Sequence, residues 1–475
     1  MLLLCLVSPA FPFPLSSSCQ PSARSAARTS PSRRGALSGA GAMAMCGSGL
    51  GGFFPPFFAK AAEAALGPQK ATGATNEVVR VVDKIRQKRL GGSDLVVSEM
   101  GLGTQRWGST DFNAPDEALC HKMMDRAILE SGVNLIDTAE QYPIPSDRAR
   151  PEGSTERIIG SWLSQAPSRR DKVVLASKIT GGRNVNARTI CADLEGSLRR
   201  LRTDRLDVYL LHWPARYTPQ ANWGQSLEYK RGMEAFLPAA ASFEEIAGAM
   251  GALIEEGKLR GWGMCNDNAY GLTASAYAAR AQGLPPPCVM QNDYSLLNRR
   301  IDENGVSEAS SPLHENVGFM AYNILAGGVL TGKYLGSPAA VDDADEASAR
   351  RKMAAPRGRM DEVGWGRTLY RYRSEPAEVA TRLYAELAAA YGLSLTELSV
   401  RWARSRPSVT TSLVGHTSMA QLEEDLKYFR ETKPLPEQLL WEIDRVHMRN
   451  RLPIFSSTRV GKDWDGEGEI GESIP

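Results

Sequence analysis

The chain has 475 residues, 42% of them hydrophobic and 23% charged, which is room for one large barrel or two medium domains. Lys and Arg number 56 against 54 Asp and Glu; residues 1–62 hold five of the basic residues and no acid, which leaves 51 basic against 54 acidic in the rest. A mildly acidic body has no footprint for nucleic acid or anionic lipid, and seven scattered cysteines without a Cys-x-x-Cys argue against a disulfide framework or a cysteine metal site.

In chain order, residues 1–62 read as a targeting segment. They are rich in Ser, Arg, Ala, Gly and Pro, as organelle transit peptides are. Arg33-Arg34, followed by an uncharged stretch ending at Ala59-Lys60-Ala61, also resembles a twin-arginine export signal. Pro55-Pro56 and several glycines make that stretch a poor membrane span. The ranking is plastid first, then mitochondrion, then secretion, with stroma favoured over thylakoid lumen. Residues 63–78 read as a linker, 79–455 as the folded body and 456–475 as a tail.

The body opens with "VVDKIRQKRLGGSDLVVSEMGLG", a hairpin followed by a buried strand. Short apolar runs then alternate with helical patterns. The runs are "EMGLGT", "VNLID", "KVVLASK", "LDVYLLH", "LRGWGMC", "CVMQND", "VGFMAY" and "VTTSLVG". Amphipathic stretches separate them, of which only 307–316 is vague. Continuous apolar strands alternating with helices imply a parallel sheet covered by helices. Eight such units predict an α/β protein of the (β/α)₈ TIM-barrel class. An open doubly wound sheet is the alternative, but "GLGTQRWG" does not supply its Gly-rich phosphate turn. Long insertions follow the fourth and seventh strands, at the end where barrel active sites are built, and read as lids.

In such a barrel the C-terminal strand ends converge on one rim. The second strand ends at Asp137 with Tyr142 in the following loop, the third ends at Lys178, and the fourth at His212. A charge ending a buried run costs desolvation unless paired, so Asp137 and Lys178 are expected to pair.

These segments resemble the aldo-keto reductases, most closely their Tas-like branch, over about residues 80–450. "GVNLIDTAEQYP", "ASKI" and "LLHWP" are similar to the family's catalytic Asp, Tyr, Lys and His segments. "GSTERIIGSWL", "QNDYSLLNR", "AYNILAGGVLTGKY" and "VGHTSMAQLEEDL" are similar to its further signature stretches. The resemblance implies NADPH-dependent reduction of a small aldehyde or ketone, with Tyr142 as general acid. A free phenol has a pKa of about 10. The ammonium of Lys178 would lower it, Asp137 would hold Lys178 cationic, and His212 would donate to the carbonyl oxygen.

The resemblance also implies the cofactor positions. Asn266 and Gln291 would bond the nicotinamide carboxamide, and Tyr322 would stack on its ring. Leu325, Gly327 and Lys333 would lie along the pyrophosphate. Gly415, Thr417, Gln421 and Glu424 would hold the adenosine end, where a helix N-terminus is a natural phosphate site. Trp107 and Trp213 would flank the substrate pocket. Cys265 stands where Ser is common, Asn323 replaces a frequent Ser, and His416 a small residue. With no Arg in the phosphate loop, a 2′-phosphate would rest on Lys333, an arginine of the seventh loop such as Arg371, or backbone amides. A nicotinamide-binding redox sensor or regulatory subunit with little turnover is the alternative function.

Overall fold

The computed structural model describes residues 73–111, 113–218, 229, 231–232, 239–335, 358–361, 372 and 374–455. Residues 1–62, expected to be a targeting segment, most of the expected linker, the C-terminal tail, Arg371 and most of both long insertions lie outside the described residues.

Val78–Val82 (β1), Ile85–Arg89 (β2) and Val96–Ser98 (β3) form an antiparallel sheet, so the expected hairpin carries a third strand. Its tight turn is Asp83-Lys84, both with positive φ, the conformation that matches the twist of a two-residue hairpin.

Eight parallel strands follow: Met100–Gly103 (β4), Leu135–Asp137 (β5), Val174–Ile179 (β6), Leu206–Leu211 (β7), Leu259–Cys265 (β8), Val289–Asp293 (β9), Gly318–Tyr322 (β10) and Thr411–Val414 (β11). Each pairs with its successor, and β11 pairs back with β4, closing the barrel. The (β/α)₈ expectation holds. Strands β6 and β7 are buried at every residue because one face fills the barrel and the other meets helices.

The helices begin where the chain supplies a side-chain acceptor. Glu117–Met124 (α1) is capped by Asp116, Ala187–Leu201 (α3) by an Asn186–Thr189 capping box, Phe243–Glu255 (α4) by Ser242 and Ala269–Ala281 (α5) by Asn268. Each cap satisfies an amide that the first helical turn leaves unpaired. Ser154–Leu163 (α2) instead follows Gly153 in the left-handed conformation. The vague sixth crossover is two short helices, Arg300–Glu303 (α6) and Val306–Ser310 (α7). Glu375–Ala390 (α8) and Leu395–Ser405 (α9) precede β11, and Met419–Arg430 (α10) and Glu437–Arg449 (α11) follow it.

The small sheet closes the N-terminal mouth. Leu90, Leu95 and Val97 pack with Leu135, Val174, Val208, Val289 and Leu413 from the barrel strands. Gln87 Nε2 donates to the Gly132 carbonyl (2.7 Å) and Lys88 Nζ to that of Val409 (3.0 Å), just before β5 and β11. With one end stoppered, the opposite rim is left for chemistry. Among the described residues no helix is long and apolar enough to cross a membrane.

Candidate active site

The C-terminal rim holds a cavity of about 670 Å³, within the ~300–1,000 Å³ usual for small-molecule and cofactor sites. Asp137, Tyr142 and His212 line it, as do Trp107 and Trp213. So do Asn266, Gln291, Tyr322, Leu325, Gly327 and Lys333, and the segment bearing Gly415, Thr417, Gln421 and Glu424. Lys178 lies behind this wall, with no exposed side-chain surface.

The tetrad is built by four short-range decisions. Asp137 ends β5, and the chain then turns so that the Tyr142 amide donates to the Ala139 carbonyl (3.1 Å), while the Tyr142 carbonyl accepts from Gly153 (2.8 Å) at the start of α2. Lys178, inside β6, places its ammonium 2.7 Å from Asp137 Oδ2 and 2.8 Å from the Thr138 carbonyl. It is also 5.0 Å from the centre of the Tyr142 ring. His212 presents its ring edge-on to Tyr142, centroids 5.7 Å apart, and stacks on Trp213. The expected Asp137–Lys178 pair is present.

Electrostatics departs from the sequence reading in one respect. Burial pushes the Tyr142 phenol up to about 12, although Lys178 pulls it down. The ammonium acts in the expected direction, but losing water outweighs it. Lys178 itself loses affinity for its proton by burial and regains more from Asp137, so its pKa ends above the ordinary lysine value. Burial, then the Lys178 charge, holds His212 well below the usual histidine range. The site therefore presents a neutral phenol, an ammonium and a neutral imidazole near pH 7.

A second layer crosses the barrel. Gln291, on β9, donates from Nε2 to Asp137 Oδ1 (2.8 Å), and its Oε1 accepts from the Cys265 thiol (3.5 Å) at the end of β8. Burial raises the Cys265 pKa to about 12, so the sulfur keeps the proton it donates. Asn266, left-handed at φ 57°, donates to the His212 carbonyl (3.0 Å) and accepts from the Tyr322 hydroxyl (2.7 Å). Asn tolerates that backbone region better than most residues. Asn323, also left-handed, accepts from Gly327 N (2.6 Å) and donates to the Tyr372 hydroxyl (2.5 Å), which donates to Asp293 (2.9 Å). Its amide presents acceptor and donor on separate atoms, so both partners are served at once.

Several cavity residues escaped the sequence reading. Arg359, from the seventh loop, donates to the Gln105 side chain (2.7 Å). It follows Gly358, where an added Cβ would come within 2.5 Å of Lys333 Nζ. Burial and neighbouring Arg106 lower its pKa to about 10. Gln141, beside Tyr142, also lines the cavity. No sequence pattern marks "PRGRM" as pocket-forming, and in "AEQY" the pattern singles out the tyrosine and not its neighbour Gln141.

The residues present fit a dinucleotide. Asn292 Oδ1 and His212 Nδ1, both in cavity-lining residues, are buried without a hydrogen-bond partner among the described residues. Gly327 and Gly328 both adopt positive φ, leaving a bare backbone at the cavity wall. Beyond β11, Ser418 caps α10, and its N-terminal turn borders the cavity through Thr417 and Gln421, an arrangement suited to phosphate. Among the described residues no cluster of His, Cys, Asp and Glu could hold a metal ion.

Fold and rim together define a (β/α)₈ enzyme with a Tyr–Lys–Asp–His cluster. The Aldo/keto reductase family profile matches residues 99–447, and the chain belongs to that family, whose members are oxidoreductases of carbonyl compounds and generally use a nicotinamide cofactor. It is 34% identical over 376 residues to Protein tas of Escherichia coli (strain K12), covering 77% of this chain and 98% of that protein. It is 29% identical over 296 residues to an aldo-keto reductase of Babesia bovis, covering 60% of this chain and 98% of the relative. The uncharacterized oxidoreductase YrpG of Bacillus subtilis (strain 168) is 28% identical over 349 residues, 71% of this chain and 89% of its own length.

Proposed function

We propose that the chain is an NADPH-dependent reductase converting an aldehyde or ketone to its alcohol, with Tyr142 as general acid. The observation that carries this reading is Lys178, buried and fixed between Asp137 and Tyr142 behind a cavity of cofactor size. Bound reduced nicotinamide supplies the hydride. Tyr142 holds a proton at its phenol oxygen, where the developing alkoxide takes it. The phenolate left behind is stabilised by the Lys178 ammonium, and Asp137 keeps that ammonium charged and oriented. Neutral His212 is suited to donate a hydrogen bond to the carbonyl oxygen and so orient it. Asn266 and Gln291 would hold the carboxamide, and Tyr322 the ring face. Leu325, Gly327 and Lys333 would line the pyrophosphate, and Gly415, Thr417, Gln421 and Glu424 the adenosine end. The choice of NADPH rests on the family resemblance, and Lys333 on the cavity wall supplies positive charge suited to a phosphate-bearing cofactor.

Purified full-length protein should oxidise NADPH with simple aldehydes. Tyr142→Phe should lower kcat by about 10²–10⁴-fold while NADPH binding, followed by fluorescence titration, persists. Undiminished turnover in that variant would discard the mechanism. Retained cofactor without turnover on any carbonyl would favour a redox-sensing subunit. The acid-free leader supports delivery to a plastid; a fluorescent protein carrying residues 1–62 that stays in the cytosol of plant cells would reject that.

A further inference from the structure

An ion pair outside the cavity ties the loop after β7 to the end of β8. Arg216, in the loop that follows His212, meets Asp267 with two bonds, Nη1 to Oδ2 (2.8 Å) and Nη2 to Oδ1 (2.6 Å). Nη2 also donates to Asn268 Oδ1 (3.2 Å). The pair is largely buried, with side-chain exposures of 16% and 4%. The rings of Phe243 and Tyr270 lie 5.3 and 5.5 Å from the guanidinium carbon and stand edge-on to each other. Gly271 leaves room for the carboxylate, since an added Cβ would collide with it. A bidentate guanidinium–carboxylate pair fixes direction as well as distance, and an ammonium copies neither the planar fork nor its stacking on rings.

What this pair holds is one wall of the site. Asp267 directly follows Asn266, whose Nδ2 donates to the His212 carbonyl (3.0 Å). The Asp267 carbonyl accepts from Nδ2 of cavity-lining Asn292 (2.8 Å). A closed ring results: along the chain from His212 to Arg216, across to Asp267, back to Asn266, and through its amide to His212. Both ends of the fourth insertion join that ring, because Ala240 N donates to the Ala215 carbonyl (2.8 Å). One hydrogen bond between Asn266 and a carbonyl would act as a hinge, and the second link at Arg216 and Asp267 removes that freedom. Asn266 also sits at a φ of 57°, a backbone region that persists where the surroundings over-determine it.

We infer that Arg216 is a positioning residue: through Asp267 it fixes Asn266, and so sets the nicotinamide against the carbonyl that His212 orients. This rests on the reductase reading, which gives Asn266 the carboxamide and His212 the carbonyl oxygen. Arg216 does not itself line the cavity, so its effect is carried by Asn266. The pair makes the group that holds the cofactor and the group that orients the substrate move as one body.

The test uses full-length Arg216→Lys, which keeps the charge and gives up the fork. Two ligands separate the halves of the cofactor: NADPH carries the nicotinamide, and adenosine 2′,5′-bisphosphate lacks it. In calorimetric titrations the variant should bind NADPH about fivefold more weakly, roughly one hydrogen bond's worth, with adenosine 2′,5′-bisphosphate within about twofold of wild type. Its kcat at saturating NADPH should fall about tenfold or more, since a misplacement of about 1 Å can cost about a hundredfold. Asp267→Asn, which keeps the shape without the charge, should move both quantities the same way. The double variant should cost less than the product of the two singles, because each breaks the same pair. Equal weakening of the two ligands overturns the inference. So do unchanged kcat and NADPH affinity beside a lowered urea midpoint, because the pair then only braces the insertion. A wild type that reduces no carbonyl ends the reductase reading, and the comparison of the two ligands still decides the role of Arg216. A wild type that binds neither ligand rejects both.

Discussion

Replacing Gln291 with methionine isolates the bond that crosses the barrel. The two side chains have similar length, but methionine has no N–H to offer Asp137 Oδ1, at present 2.8 Å from Nε2. Both residues are nearly buried, at 2% and 3% exposure, so water cannot replace the lost donor. A hydrogen bond to a charged group contributes about 1.5–3 kcal/mol. The urea midpoint of cofactor-free protein should therefore fall by the equivalent of about 1.5–3 kcal/mol at unchanged slope. If the same energy orients Lys178 under Tyr142, kcat at saturating NADPH falls about ten- to a hundredfold. Gln291→Glu sharpens the comparison. Ionised, the introduced carboxylate would face Asp137 and repel it, whereas protonated it donates an O–H much as the amide donates its N–H. The kcat of that variant should rise as pH falls, where the wild type is flat. The reasoning is refuted if Gln291→Met unfolds within about 0.5 kcal/mol of wild type and keeps its kcat, losing only NADPH affinity. Gln291 would then serve the cofactor and not the acid.

Two further expectations concern pH and stability. Burial and Lys178 hold His212 below its ordinary value, so the unfolded chain takes up a proton near pH 6.5 that the folded chain refuses. Stability should drop as pH falls from 7.5 to 5.5, by about 1.4 kcal/mol from this residue, and urea titrations of His212→Gln should lack that share. Burial, with Arg86 and Arg404 nearby, lowers Lys88 from 10.5 to about 8 against the pull of Glu99. Its folded pKa lies below its unfolded one, so stability should rise as pH climbs from 8 toward 10.5. Lys88→Met should lack that rise and, after losing the bond to Val409, be more stable at pH 7 by about 2 kcal/mol; equal or lower stability would show that the ammonium is well accommodated.

Much of the fold was legible because periodicity is local. The eight apolar runs could be read one at a time, and the barrel followed from their alternation with helices. Asp137, Lys178 and His212 could be placed because each lies within one residue of a strand's C-terminal end, and strand ends converge by topology. What could not be read depends on depth or on distant pairing. The net pKa of Tyr142 turns on how completely neighbouring loops bury it, and no residue near "DTAEQY" encodes that. The Gln291–Asp137 bond joins β9 to β5, four strands apart in either direction around the barrel. Arg359 enters from an insertion with no periodic pattern, so nothing in the sequence singled it out. The sixth crossover was vague because α6 and α7 are too short to show a helical repeat.

The cross-barrel bond also bears on the most conspicuous departure from the family pattern. Cys265 in place of serine implies a weaker donor, and a weak donor alone would leave the Gln291 amide free to turn over. Asp137 prevents this. An ionised carboxylate accepts and never donates, so one face of the amide has a single acceptable partner: Nε2 must point at Asp137, and Oε1 must then point at residue 265 whatever stands there. The thiol at 3.5 Å adds little, and little is needed. The orientation of the group expected to meet the cofactor is thus set by the same carboxylate that fixes the Lys178 ammonium. Asp137 spends one oxygen on each task, Oδ2 for Lys178 and Oδ1 for Gln291. A change at residue 265 is therefore buffered, while a change at Asp137 disturbs both halves of the site at once.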